Sequence, residues 1–115
     1  MDVERELMKG STQTLILAVL REGARHGYSI AREIERRSEV GLKFKDGSLY
    51  PALQALEQGE FIAGVWEPSA GGPPRKVYHI TEAGLAELQK RTGDWNLFAQ
   101  MIQRILKPSR PASES

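Results

Sequence analysis

A chain of 115 residues is one domain's worth, long enough to bury roughly two thirds of the surface its unfolded form exposes without a metal or disulfide staple. With no cysteine, and with only His26 and His79 as imidazoles, zinc sites built from Cys and His are excluded and no oxidising compartment is indicated. A net charge of +1 from 16 basic and 15 acidic side chains does not by itself announce nucleic acid, so the placement of the charges must decide. The start, Met1-Asp2-Val3-Glu4-Arg5-Glu6, has no apolar stretch behind a basic one, and no apolar run approaches bilayer-spanning length. The expectation is a soluble, unexported, cytoplasmic protein with no membrane partner.

In chain order, Ser11-Thr12 opens a first helix that stops at Gly23. Leu15, Ile16, Ala18, Val19 and Leu20 make it apolar around most of its circumference, which requires burial on more than one side and predicts the core spine. Ala24-Arg25-His26-Gly27 reads as a turn, with His26 a structural turn residue. A second helix runs from about Tyr28 to Ser38, with Ile30, Ala31 and Ile34 inward and Arg32, Glu33, Arg36 and Arg37 outward. Arg21, Arg25, Lys43 and Lys45 add to a basic-leaning first half, although Glu22, Glu35 and Glu39 are interleaved. Between Glu39 and Asp46, Leu42 and Phe44 alternate with Lys43 and Lys45 at the period of a short extended piece.

The third helix spans Asp46 to Gly59. Leu49, Leu53 and Leu56, with Ala52 beside them, form one face, and Gly59 supplies a left-handed C-terminal cap. Pro51 is tolerated only in a first turn, so the helix begins between Asp46 and Ser48. Ser48 and Tyr50 then stand among free backbone N–H groups suited to phosphate oxygens. Helix, turn, helix, short connection, helix is a helix-turn-helix layout with the last helix as reader.

Phe61 to Trp66 and Lys76 to Ile80 are rich in β-formers, with Tyr78 and Ile80 on a core face and Trp66 packing across the sheet. Between them, Glu67 to Arg75 holds three prolines and two glycines and predicts a flexible loop without regular structure. A two-stranded ribbon with a mobile tip bearing Arg75 and Lys76 is a wing; an ordinary surface hairpin is the competing reading. Thr81 caps a last helix in which Leu85, Leu88, Thr92, Trp95, Ala99, Ile102 and Leu106 repeat at alternating steps of three and four. That seam predicts packing against the same helix, or the N-terminal segment, of a second subunit. Gly93 predicts a kink or break near Thr92 to Asp94. A second line, Leu97, Phe98, Met101 and Ile105, asks for burial on a larger surface, and the stretch from Lys107 onward has no apolar period and is expected to be disordered. The expected fold is mainly α with a small β-wing: a winged helix-turn-helix domain over 1–81, a long C-terminal dimerisation helix over 82–107 and a tail over 108–115.

Lys9-Gly10 before the first helix, His26-Gly27-Tyr28-x-Ile30, Gly47-Ser48-Leu49-Tyr50-Pro51-Ala52-Leu53, Leu56-Glu57-x-Gly59 and Arg75-Lys76-x-Tyr78-x-Ile80-Thr81-x-x-Gly84 occur in one order and spacing. Together they resemble the PadR-type transcriptional regulators of the short kind, over about Lys9 to Leu106. The resemblance implies a dimeric cytoplasmic repressor that sets one recognition helix per subunit in successive major grooves of an inverted-repeat operator. Release by a small apolar or phenolic ligand is implied too, and no cofactor or metal. By position, Ser48 and Tyr50 would meet phosphate and groove, Lys43, Lys45 and Gln54 would add contacts, and Arg75 and Lys76 would serve the wing. Gln54 is able to bond adenine in bidentate fashion. Pro73 and Pro74 depart from the family, standing where further basic residues are expected. Tyr50 has a second reading, as a lid over the core. Leu85, Leu88, Trp95, Ala99, Ile102 and Leu106 would dimerise, with Trp95 either lining a ligand pocket or simply filling the dimer core.

Enzyme function has no support, since there is no cysteine nucleophile, glycine-rich phosphate loop, His-Glu-x-x-His motif or Gly-x-Ser-x-Gly elbow. A winged-helix protein-interaction module that has lost DNA contact is the alternative function.

Overall fold

Helix α1 (Thr12–Leu20) is the spine: Ile16, Leu17, Val19 and Leu20 are buried, and three further helices and a strand pack around it. The computed structural model describes residues 11–39 and 49–109. Within them the order is α1, β1 (Arg25–His26), α2 (Gly27–Arg37), α3 (Leu49–Gln58), β2 (Ile62–Ser69), β3 (Gly72–Ile80) and α4 (Glu82–Leu106). The sheet is antiparallel in the order β1-β3-β2, so the short segment expected as a turn becomes a strand, with Arg25 opposite Tyr78 and His26 opposite Val77. Gly27, buried at the start of α2, lies against α3 and β3, where a Cβ would make ordinary contact with Leu53 at 3.4 Å and Tyr78 at 3.7 Å.

On α2, Ile30 and Ile34 are buried as expected, but Glu33 is not outward: it is only 8% exposed. Three arginines reach it, Arg36 and Arg37 each with a closest contact of 2.6 Å and Arg25 at 3.8 Å, and Arg37 also holds Glu22 at 2.6 Å. A carboxylate can leave water when cations and hydrogen bonds replace it. The expected extended piece with Lys43 and Lys45, and the α3 start from Asp46 to Ser48, lie outside the described residues.

Along α3, Leu49, Ala52, Leu53 and Leu56 are buried. The helix closes one residue later than Gly59 suggested. Glu60 carries the left-handed φ of 62°, Phe61 N–H donates to Leu56 C=O at 2.9 Å and Glu60 N–H to Glu57 C=O at 3.0 Å, the pairing of a Schellman cap. Gly59 instead gives way to the Phe61 ring, whose carbons lie 3.0 Å from where a Cβ would stand.

The expected proline loop is strand. β2 and β3 run on to a turn at Ala70-Gly71, where Gly71 takes φ 72°. Pairing steps from Glu67 opposite Arg75 to Ser69 opposite Gly72, so Pro68 on one strand and Pro73 and Pro74 on the other all fall inside one irregularity of the ladder. A missing N–H costs little where the ladder is already interrupted, at the free end of a hairpin.

Helix α4 is seated by its first turns. Thr81 Oγ1 accepts from Gly84 N–H at 3.0 Å and donates to Glu60 C=O at 2.7 Å, while Thr81 N–H donates to Phe61 C=O at 3.0 Å. Gly84 has no room for a side chain, because a Cβ would run into the Phe61 carbonyl. Leu88 is 3% exposed and part of the core, which removes it from the expected dimerisation seam. One turn on, Arg91 pairs with Glu87 at 2.6 Å, donates to Gln13 on α1 at 2.9 Å and lies 5.9 Å from the Phe61 ring centre. The helix continues through Gly93 without the expected break, 25 residues in all, or about 37 Å.

Candidate nucleic-acid interface

The buried stripe of α3 fixes which of its residues face outward. Tyr50, Gln54, Glu57 and Gln58 follow one another at helical spacing on the opposite side and line a cleft of about 530 Å³ with Lys76 and Tyr78 of β3. An adjoining cleft of about 680 Å³ runs between the first turn of α2 and the wing, past His26, Tyr28, Ser29, Tyr50, Trp66, Pro74, Arg75 and Lys76. Four of the expected DNA-contact residues, Tyr50, Gln54, Arg75 and Lys76, therefore share one concave face. Lys43, Lys45 and Ser48 lie outside the described residues.

Tyr50 is 61% exposed, which rules out its reading as a lid over the core. Gln54 is exposed one turn along. Arg75 is exposed on the wing opposite Glu67. Lys76 differs from these. Its Nζ lies 2.9 Å from Glu57 Oε1, 5.4 Å from the Tyr78 ring centre and 5.9 Å from that of Trp66. The Glu57 hydrogen bond raises its pKa above the ordinary lysine value. Tyr78 is buried under this ammonium, and burial raises its hydroxyl pKa. Trp66 sits opposite Lys76 across the ladder with its ring exposed.

Tyr28, Ser29 and Glu57 belong to this face and were not singled out as site residues from the sequence. Tyr28 is 68% exposed; Arg32 donates to its hydroxyl at 3.0 Å and lies 5.6 Å from its ring centre. Arg25 donates to Ser29 Oγ at 2.9 Å. A signal for Tyr28 was available, because it precedes Ile30 by two positions and so leaves the apolar line of α2. His26 occupies the N-cap of α2 in extended backbone, without a side-chain capping bond. The arginines at the other end of α2 are already spent on Glu33 and Glu22, so the basic lean read from the sequence does not become a free basic helix.

The second half of α4 offers another surface. Trp95, Leu97, Phe98, Met101, Ile102, Ile105 and Leu106 are exposed, as is Leu85, while Ala99 is half-buried. The Trp95 and Phe98 rings meet at a tilt of 41° with centres 6.2 Å apart. Among the described residues no group of three or more acidic or histidine side chains could hold a metal, and no helix is long and apolar enough to cross a membrane.

Comparison with known proteins identifies relatives of this fold. A family model described as "Transcriptional regulator PadR-like family" matches residues 16–90. An uncharacterized protein of Lysinibacillus sphaericus is 30% identical over 105 residues, covering 91% of this chain and 96% of its own. A probable transcriptional regulator of Mycobacterium tuberculosis is 30% identical over 100 residues, 87% of this chain, which spans only 48% of that longer relative. Among solved structures, a transcriptional regulator from Clostridium thermocellum superposes with a TM-score of 0.82 at 26% identity, covering 89% of this chain and 99% of its own. The matched residues take in α2, α3, the wing and the docked start of α4, and the chain belongs to the PadR-like family of transcriptional regulators, not to a family of enzymes.

Proposed function

We propose that this regulator binds double-stranded DNA as a symmetric homodimer in the cytoplasm, represses transcription, and is released by a small apolar ligand. The observation that carries the DNA-facing part is the concave face on which Tyr50 and Gln54 of α3 stand beside Arg75 of the wing. A helix with a polar outer face enters a major groove, and a ribbon beside it reaches the flanking backbone. Lys43, Lys45 and Ser48 would extend that contact on the N-terminal side of α3. Residues 1–81 then act as the reading unit, 82–107 as the dimerising helix and 108–115 as a tail. The second half of α4 supports the dimer: an apolar surface of this extent on a helix that has left its own core suits a two-fold partner. Leu85, Trp95, Ala99, Ile102 and Leu106, with Leu97, Phe98, Met101 and Ile105, would form it.

Ligand control would act at this junction, by changing the angle between two winged units so that they no longer span successive grooves. A planar ligand beside Trp95 would do so. Footprinting on the DNA upstream of the protein's own gene tests the reading. The expected result is a two-fold symmetric protection with half-sites roughly 10 base pairs apart, centre to centre. Protection of a single asymmetric half-site contradicts it.

A further inference from the structure

We propose that Glu57 and Lys76 form a strut that fixes the wing to the recognition helix, so that Lys76 is a positioning residue for DNA rather than a phosphate contact. The inference rests on the DNA-binding reading above. Among the described residues Lys76 is the wing cation on this face with an ion-pair partner: its ammonium is 2.9 Å from Glu57 Oε1, over the Tyr78 ring at 5.4 Å and near the Trp66 ring at 5.9 Å. Both partners are shielded, with side chains 27% and 31% exposed. To reach a phosphate Lys76 would abandon all three contacts and leave Glu57 facing the DNA unneutralised, beside Tyr50 and Gln54 in the same cleft. The backbone makes room for the strut as well. Gly64 on β2 lies under the lysine stem, and any side chain there would collide with it.

The bridge spans the two elements whose separation matters. Glu57 sits in the last turn of α3, while Lys76 sits mid-strand, one position from Arg75. A ribbon held only at its base pivots; one tied to α3 at mid-strand presents Arg75 at a fixed distance from Tyr50 and Gln54. Preorganisation of this kind lowers the cost of binding without adding a contact.

The test uses full-length protein and a fluorescein-labelled duplex carrying the region the wild type protects upstream of its gene. Affinity is measured across salt concentrations for the wild type, Lys76→Met, and the charge swap Glu57→Lys with Lys76→Glu. Amide hydrogen exchange of residues 62–69 and 72–80 is followed in the DNA-free proteins. The expected result for Lys76→Met is affinity about two- to fivefold weaker, the range of a part-exposed ion pair, with an unchanged salt slope and faster exchange. The swap should restore both affinity and exchange. A salt slope shallower by about one unit in Lys76→Met means a lost phosphate contact and overturns the strut, whatever the exchange shows. Unchanged exchange in Lys76→Met, or a swap that restores nothing, overturns it too. If the wild type binds no duplex, the DNA reading itself fails, and with it the role of the strut, even where exchange shows the tie between helix and wing to be real.

Discussion

Glu33 shows how a single side chain can set conditions on the fold. Hydrogen bonds from Arg36 and then Arg37 hold its carboxyl far below the ordinary value of 4.5, at about 2. A carboxylate whose pKa is lower folded than unfolded stabilises the fold above its unfolded pKa, and that contribution fades as pH falls through the folded one. Stability owed to Glu33 is therefore complete above about pH 5 and lost between there and about pH 2. Thermal melts of wild type and Glu33→Gln should differ most near neutral pH and converge as pH approaches 2; a difference that stays constant over that range contradicts the assignment. The sequence did not place Glu33 inside because charge alone argues for solvent, and the arginines that take water's place are visible only once the helix is built. Tyr50 is the reverse case. Its exposure follows from the phase of Leu49, Leu53 and Leu56, so its place on the outer face was readable from periodicity.

At the scale of elements, the helices were legible and the joints were not. The apolar phase of α1 and of α3 is in the sequence, and both bury the residues it names. Helix ends depend on one residue's φ, and Glu60 took the left-handed position that Gly59 advertised. Three prolines argued against strand between Glu67 and Arg75, yet their positions relative to one another across the hairpin put all of them in one interruption of the ladder. That coincidence is a property of the register, which no local pattern contains. Two substitutions follow from the joints. Glu60→Gly relieves the left-handed conformation and should raise unfolding stability by about 0.5–1 kcal/mol, whereas Gly84→Ala drives a methyl into the Phe61 carbonyl and should lower it by roughly 1–3 kcal/mol. Urea melts at one protein concentration check both, and equal or inverted effects would mean the junction of α3 with α4 is looser than described.

For the whole molecule, the informative contrast lies within α4. Its start is held by Thr81, Gly84, Leu88 and Arg91, and the rest carries apolar side chains into solvent. The heptad seam in the sequence found this helix and its exposed half, but it also swept up Leu88, because periodicity cannot tell a seam that docks on its own domain from one left for a partner. If the exposed half closes a dimer, Phe98→Glu with Ile105→Glu should give a monomer by sedimentation equilibrium that still unfolds cooperatively in urea; a dimer that persists would place the interface elsewhere. The joint at Arg91, Gln13 and Phe61 ties that helix to the spine of the winged domain, so a turn of α4 against a partner helix would carry the winged domain with it. If α3 reads DNA through its outer face, the operator affinity of a folded variant carrying Tyr50→Ala with Gln54→Ala will show it. Loss of a groove-entering side chain and a base-edge contact should weaken binding to the protected duplex by about 10- to 1,000-fold, and binding to random-sequence duplex by much less. Wild-type affinity for the protected duplex in that variant would show that another surface does the reading.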